Sequence, residues 1–206
     1  MAKILIFGGS YDPVHVGHLQ TARYALEKLP ADRVLFIPTY ESPHKLSANQ
    51  ASAAATPRQR LAMLQLAIAD DPSMEVSDIE LPRPPPSYTI DTLRVLQNQR
   101  PHDRFTLLIG SDQLPGLHTW RDIATIIETT PIAVLPRPGY PAPAKSPGNI
   151  SEHLWNRVCA GILDIPMFNV SATDIRARLA QGLSTVTLLP PAVMEYIQQH
   201  RLYGVS

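Results

Sequence analysis

With 206 residues and 44% hydrophobic side chains, the chain can bury one substantial core without a disulfide or a metal, and one domain over 1–206 is expected. Its 18 basic and 18 acidic residues cancel, which removes the positive field by which most duplex-binding proteins neutralise phosphates. The single Cys159 excludes an intrachain disulfide, and no apolar run approaches the roughly 18 residues of a membrane span; neither a nucleic acid nor a membrane partner is expected, and the cytoplasm is the expected compartment.

Lys3–Phe7 (KILIF) is a continuous apolar run closed by Gly8-Gly9, and reads as a buried parallel strand ending in a glycine turn. Leu19, Ala22, Leu26 and Leu29 recur at helical spacing up to Pro30, and Arg33–Pro38 (RVLFIP) completes a βαβ unit. The alternation continues with a helix over Pro57–Ala69, a strand near Met74–Ile79, a helix over Thr89–Gln97 and a strand over Phe105–Gly110. A helix near Trp120–Ile127, a strand over Ile132–Leu135, a proline-rich loop and a strand near Ile162–Phe168 follow, then helices over Thr173–Ala180 and Ala192–Gln199. The 21 prolines cluster, as in Pro82–Pro86 and Pro136–Pro147, and so punctuate loops. This order predicts an α/β fold, a doubly wound parallel sheet in a single domain with a small helical part at the C-terminal end. Ligands of such sheets bind beyond the carboxyl ends of the strands. The residues after Phe7, Ile37, Ile109 and Phe168 are therefore expected to carry function.

Gly8-Gly9-Ser10-Tyr11-Asp12-Pro13-Val14-His15-Val16-Gly17-His18 follows the first strand. Its glycines let backbone amides approach a ligand, and His15 and His18 fall on one side of a tight turn at a helix start. A helix N-terminus attracts anions, and two imidazole donors can follow charge that grows on a phosphoryl group. An isolated His-x-x-His equally suits a zinc pair or two structural histidines, but no Cys, His or Glu cluster nearby completes a four-ligand shell. Near the other end, Ser171-Ala172-Thr173-Asp174 reads as a capping box, with Thr173 and Arg176 adding a hydroxyl and a guanidinium suited to phosphates at the same helix start. The two roles can coexist.

The first of these segments resembles the H-x-G-H signature of the nucleotidyltransferase superfamily, whose sheet is Rossmann-like. Ile37–Lys45 (IPTYESPHK), Ser87–Leu93 (SYTIDTL), Ile109–Leu114 (IGSDQL) with Trp120, Pro136–Gly139 (PRPG) and Val170–Arg176 (VSATDIR) resemble the ordered motif set of the bacterial nicotinate mononucleotide adenylyltransferase family, from Lys3 to about Tyr203. The departures are small: Val170 stands where isoleucine is usual and Tyr11 where phenylalanine is usual, and Ala48–Thr56 is rich in alanine.

The resemblance implies transfer of AMP from ATP to nicotinate mononucleotide, giving nicotinate adenine dinucleotide and pyrophosphate for NAD biosynthesis. It places Gly8, Gly9, Ser10, His15, His18, Ser171, Thr173 and Arg176 at ATP, and His44, Lys45, Tyr88, Thr89, Asp112 and Trp120 at nicotinate mononucleotide; His15, His18, Lys45 and Arg176 are the expected catalytic set. Mg2+ is expected to arrive on the ATP phosphates, with no metal ligands from the chain. Several residues keep a plainer alternative: His44 and Lys45 as a solvated basic pair, Asp112 as a helix cap, Trp120 as core. His102, His118, His153, His200, Trp155 and Cys159 carry no motif and read as structural or solvent-facing. A phosphopantetheine adenylyltransferase and a nucleotide sensor without turnover are the rival readings, and a homo-oligomer is left open.

Overall fold

Ile4, Leu5, Ile6 and Phe7 are each 4% exposed or less, so this strand is covered on both faces, as the middle of a parallel sheet requires. The computed structural model describes residues 1–41 and 54–205. Its strands are β1 (Lys3–Gly9), β2 (Arg33–Pro38), β3 (Met74–Val76), β4 (Arg104–Gly110) and β5 (Ile132–Leu135). They form a five-stranded sheet in the order β3-β2-β1-β4-β5. β1 lies parallel to β4, from Lys3 opposite Arg104 to Phe7 opposite Leu108, and β4 lies parallel to β5, from Leu107 opposite Ile132 to Gly110 opposite Leu135. This is the doubly wound α/β order, and the winding reverses between β1 and β4.

The described helices are α1 (Val16–Lys28), α2 (Pro57–Ile68), α3 (Thr89–Gln99), α4 (Ile123–Thr129), α5 (Glu152–Ala160), α6 (Ala172–Ala180) and α7 (Pro191–Gln199). Their starts are chemically marked. Thr56 and Gln59 form a reciprocal capping box ahead of α2, with Pro57 in its first turn. Ser151 caps α5 through the Leu154 amide, and Ser171 caps α6 through the Asp174 amide at 3.5 Å. At α6 this is only half of the expected box, since the return bond from the Asp174 side chain is not formed among the described residues. No helix among the described residues is long and apolar enough to cross a membrane.

Contacts divide the chain into two compact units, Met1–Gly8 with Thr21–Leu35 and Tyr88–Phe168, and Gly9–Gln20 with Phe36–Ser87 and Asn169–Ser206. The first buries Ile4–Phe7, Leu107, Leu108, Ile126, Val134, Trp155 and Val158; the second buries Tyr11, Val14, Phe36, Met63, Leu64, Ile175, Val193 and Ile197. Each fully buried aliphatic side chain stabilises the fold by about 1.5–3 kcal/mol.

Four elements differ from expectation, the first being α5, which forms over Glu152–Ala160 where no element was expected and buries Leu154, Trp155 and Val158. The strand expected near Ile162–Phe168 is reduced to one parallel bridge between Val134 and Ile162, closed by the Leu163 amide on the Val134 carbonyl; Pro166 brings no N–H to continue a ladder. β3 stops at Val76 instead of Ile79. The helix expected near Trp120–Ile127 begins only at Ile123, and Ser111–Thr119 forms a 3-10 helix where no element was expected. Its buried residues Ser111, Leu114 and Leu117 recur every third position, which suits three residues per turn.

Candidate active site

The loop after β1 is shaped by Tyr11. A Cβ at Gly9 would lie 2.9 Å from Tyr11 Cζ, so the ring needs glycine there, whereas Gly8 faces open space. Tyr11 itself has a left-handed backbone (φ 49) and is 1% exposed, its ring meeting Phe36 and His18 edge-on at 5.8 and 5.0 Å between centroids.

His15 is buried at 5% exposure and His18 lies stacked on it, ring centroids 3.6 Å apart and planes 23° off parallel. The His15 amide donates to His18 Nδ1 at 3.3 Å. A neutral His18 therefore carries its proton on Nε2. Gly17 serves this stack: a Cβ there would come within 3.1 Å of His15 Nδ1 and 3.2 Å of Val170 Cβ. The spacing H-x-G-H is thus first a packing requirement between the two imidazoles and the start of α1.

Around this loop lies a buried polar cluster within the same unit. Asp12, 3% exposed, accepts the Ala54 amide at 2.9 Å, the Ala55 amide at 3.1 Å and the Tyr203 hydroxyl at 2.8 Å. Arg60, 1% exposed, donates from Nη1 to the Ser10 carbonyl at 2.7 Å and from Nη2 to the Tyr40 carbonyl at 3.1 Å. Burial pulls the Arg60 guanidinium below its ordinary value, and Asp12, Tyr203 and Glu80 oppose that pull. Arg176 reaches back from α6 to donate to the Asp12 carbonyl at 2.7 Å and to Thr173 Oγ1 at 3.3 Å. Ser10, His15, His18, Ser171, Thr173 and Arg176 all belong to this unit. His44 and Lys45 lie outside the described residues.

Of the residues expected at the pyridine nucleotide, Tyr88, Thr89, Asp112 and Trp120 belong to the other unit. Tyr88 precedes α3 without a side-chain cap bond, so among the described residues the amides of Thr89 and Ile90 have no acceptor from the chain. The Arg121 guanidinium lies 4.4 Å over the Tyr88 ring and its Nη2 stands 3.3 Å from Asp91. Asp112 does not cap the helix that follows β4, whose N-cap is Gly110; its carboxylate pairs with Arg137 Nε at 3.0 Å and accepts from Gln113 at 2.9 Å. A Cβ at Gly110 would overlap Asp112 and Arg137, so glycine at the end of β4 is what permits the pair. Trp120 is half-buried, in contrast to Trp155, which is core at 4% exposure. A cavity of about 540 Å3 in this unit opens instead at the amino ends of β1 and β4, beside Ile4, Leu29, Phe105 and Thr130, and contains none of the expected site residues.

Asp12, Arg60 and Tyr203 were not singled out from the sequence. Arg60 carried a signal: it occupies the apolar stripe of α2 with Met63, Leu64 and Ile68, where an arginine is not placed without a buried partner. Tyr203 had none, because its partner is 191 positions away.

The Cytidylyltransferase-like family matches residues 6–178. A protein of Neisseria meningitidis serogroup B named "Probable nicotinate-nucleotide adenylyltransferase" is 41% identical over 207 residues, covering 98% of this chain and 99% of the relative. The chain belongs to the nicotinate-nucleotide adenylyltransferase family. Another member, of the same name and from Symbiobacterium thermophilum, is 37% identical over 205 residues, with 98% and 96% covered. In fold, the family chain superposes on Plasmodium falciparum nicotinic acid mononucleotide adenylyltransferase complexed with NaAD, with a TM-score of 0.78 at 16% identity over 100% of this chain and 99% of the other.

Proposed function

We propose that this chain transfers AMP from ATP to nicotinate mononucleotide in the cytoplasm, giving nicotinate adenine dinucleotide and pyrophosphate for NAD biosynthesis, and that it does so as one domain. The observation that carries this reading is the donor set of one unit, in which His15 on the loop after β1 is stacked with His18 in the first turn of α1 while Thr173 and Arg176 stand in the first half of α6. Imidazole, hydroxyl and guanidinium groups are donors matched to phosphate oxygens.

An oxygen of the nicotinate mononucleotide phosphate bonds to the α-phosphorus of ATP as the bond from that phosphorus to the bridging oxygen breaks, and the electron pair leaves with pyrophosphate. The attacking phosphate is largely ionised at neutral pH, since its second pKa is about 6, so no general base is required. His18 Nε2–H and Arg176 stabilise the charge that develops on the transferring and leaving phosphates, and catalysis is positioning and electrostatics. Lys45 and His44 add positive charge for the approach of two anionic substrates, and Gly8, Gly9 and Ser10 offer main chain to the triphosphate. Ser171 sets the start of α6. Tyr88 and Thr89 present main-chain and hydroxyl donors to the pyridine carboxylate; Trp120 stacks on the ring, and Asp112, held by Arg137, belongs to the same substrate site.

The side chains near His15 suit phosphates better than a cation, and the buried Asp12 carboxylate is already committed to two amides and Tyr203. Mg2+ carried by the ATP phosphates supplies charge neutralisation when bound.

A pyrophosphate-release assay with ATP tests the reading, with nicotinate mononucleotide, nicotinamide mononucleotide and phosphopantetheine as parallel acceptors. Turnover is expected to be fastest with nicotinate mononucleotide. Turnover only with phosphopantetheine, or none with any acceptor, overturns it.

A further inference from the structure

Arg176 and Asp12 are close without being tightly paired. Arg176 Nη1 stands 3.9 Å from Asp12 Oδ2, while the same nitrogen donates at 2.7 Å to the Asp12 main-chain carbonyl. The carboxylate is turned to other donors: Tyr203 and Ala55 share Oδ1 at 2.8 and 3.1 Å, and Ala54 takes Oδ2 at 2.9 Å. We propose that Tyr203 is a positioning residue for adenylyl transfer, whose hydroxyl occupies Asp12 and so keeps that carboxylate from closing on Arg176.

The proposal rests on Arg176 as a contact of the ATP phosphates. A buried carboxylate that loses one of its donors, here leaving Oδ1 with the Ala55 amide alone, turns toward the nearest remaining charged donor, because burying its charge with fewer hydrogen bonds is costly. For Asp12 that donor is Arg176, and an arginine that forms a bidentate pair with an internal carboxylate has lost both charge and N–H groups for a phosphate. Arg60 holds the Ser10 and Tyr40 carbonyls through Nη1 and Nη2, whereas Arg176 Nη1 already stands 3.9 Å from Asp12 Oδ2. Burial, then the neighbouring Asp12, push the Tyr203 hydroxyl well above the ordinary tyrosine range, so it stays protonated and donates throughout the physiological range. Arg201 and Tyr203 both have left-handed backbones (φ 49 and 58), and between them Leu202 is buried at 8% exposure; this anchored turn carries the ring to Asp12.

The test uses Y203F, R176A, the double variant Y203F/R176A, and Y203F/D12N, in which the carboxyl charge is removed. ATP binding is measured by calorimetry without the second substrate, beside kcat and KM for both substrates. Y203F keeps the fold and loses about 10-fold in ATP affinity and in kcat/KM for ATP, with KM for nicotinate mononucleotide unchanged. In R176A the added Y203F change costs nothing further, and D12N recovers ATP affinity in the Y203F background. An unchanged ATP affinity in Y203F, an additive loss in R176A, or no recovery with D12N overturns the proposal. R176A binding ATP as tightly as the parent sinks the assignment beneath it. A parent that binds ATP yet releases no pyrophosphate with nicotinate mononucleotide sinks the functional reading while the Tyr203 proposal stands or falls by calorimetry. Should Y203F unfold, the comparison of R176A with D12N/R176A decides: D12N adding a further loss of ATP affinity without Arg176 present contradicts an action through that arginine.

Discussion

The main-chain amide of His15 is aimed at Nδ1 of His18, 3.3 Å away. The bond fixes which nitrogen of a neutral His18 bears the proton, and Nε2–H is the group proposed to meet a phosphoryl oxygen. His18→Ala is expected to lower kcat by about 100-fold or more, as when a preorganised transition-state donor is removed, with the circular dichroism spectrum retained. His18→Gln, whose amide can place N–H near the lost Nε2–H, should recover more activity than His18→Asn. A near-parental rate in the alanine variant assigns His18 to packing alone.

Thr89 and Ile90 offer main-chain N–H groups at the uncapped start of α3. Facing only donors, a carboxylate is received and an amide NH2 is not, so kcat/KM should favour nicotinate mononucleotide over nicotinamide mononucleotide. A ratio near one removes α3 from the ring site.

Trp120 is half-buried and Trp155 is core. Trp120→Ala should weaken nicotinate mononucleotide binding by about 10-fold or more, combining lost stacking with lost area, while ATP binding and melting temperature change little. Trp155→Ala is the contrasting case, with about 3–5 kcal/mol of stability lost and both substrates affected through unfolding. Parallel losses for both substrates in Trp120→Ala would place that indole in the core.

Arg60→Met leaves the Ser10 and Tyr40 carbonyls without their donor and removes the cation facing buried Asp12 and Glu80. Breaking a buried charge pair on one side costs about 3–5 kcal/mol. Arg60→Lys should restore little, since an ammonium cannot span two carbonyls as the planar fork does. Thermal unfolding reads both variants, and a melting temperature unchanged in Arg60→Met would show that the guanidinium contributes nothing net.

Tyr203 supplies a pH dependence. Its folded pKa is raised above the unfolded value of about 10, so the folded chain holds more protons than the unfolded one once pH passes that value. The stabilising contribution is fully present below about pH 10 and declines as pH rises toward the folded value. Tyr203→Phe should flatten the alkaline arm of a stability profile above about pH 10, and an arm of unchanged slope would refute the buried-donor geometry.

The sheet and its helices were legible in the chain because their signals are local. Ile4–Phe7 and Phe105–Gly110 are apolar runs stopped by glycine, and Pro57 and Ser171 announce helix starts through their own local chemistry, whereas the helix Glu152–Ala160, capped by Ser151, was not read from the chain. The His15–His18 stack is local as well, and Gly17 shows in the spacing itself. The Ile162–Phe168 strand failed for the converse reason: its apolar residues satisfied the pattern, but pairing is decided by the neighbouring strand and by Pro166, and only one bridge forms. Likewise no pattern separates a 3-10 run such as Ser111–Thr119 from the helix expected after it. The cluster of Asp12, Arg60, Arg176 and Tyr203 was decided by tertiary structure alone. Its bonds span 164 and 191 positions, from the loop after β1 to α6 and to the C-terminal turn, and a buried charge declares its partner only when the chain has folded around it.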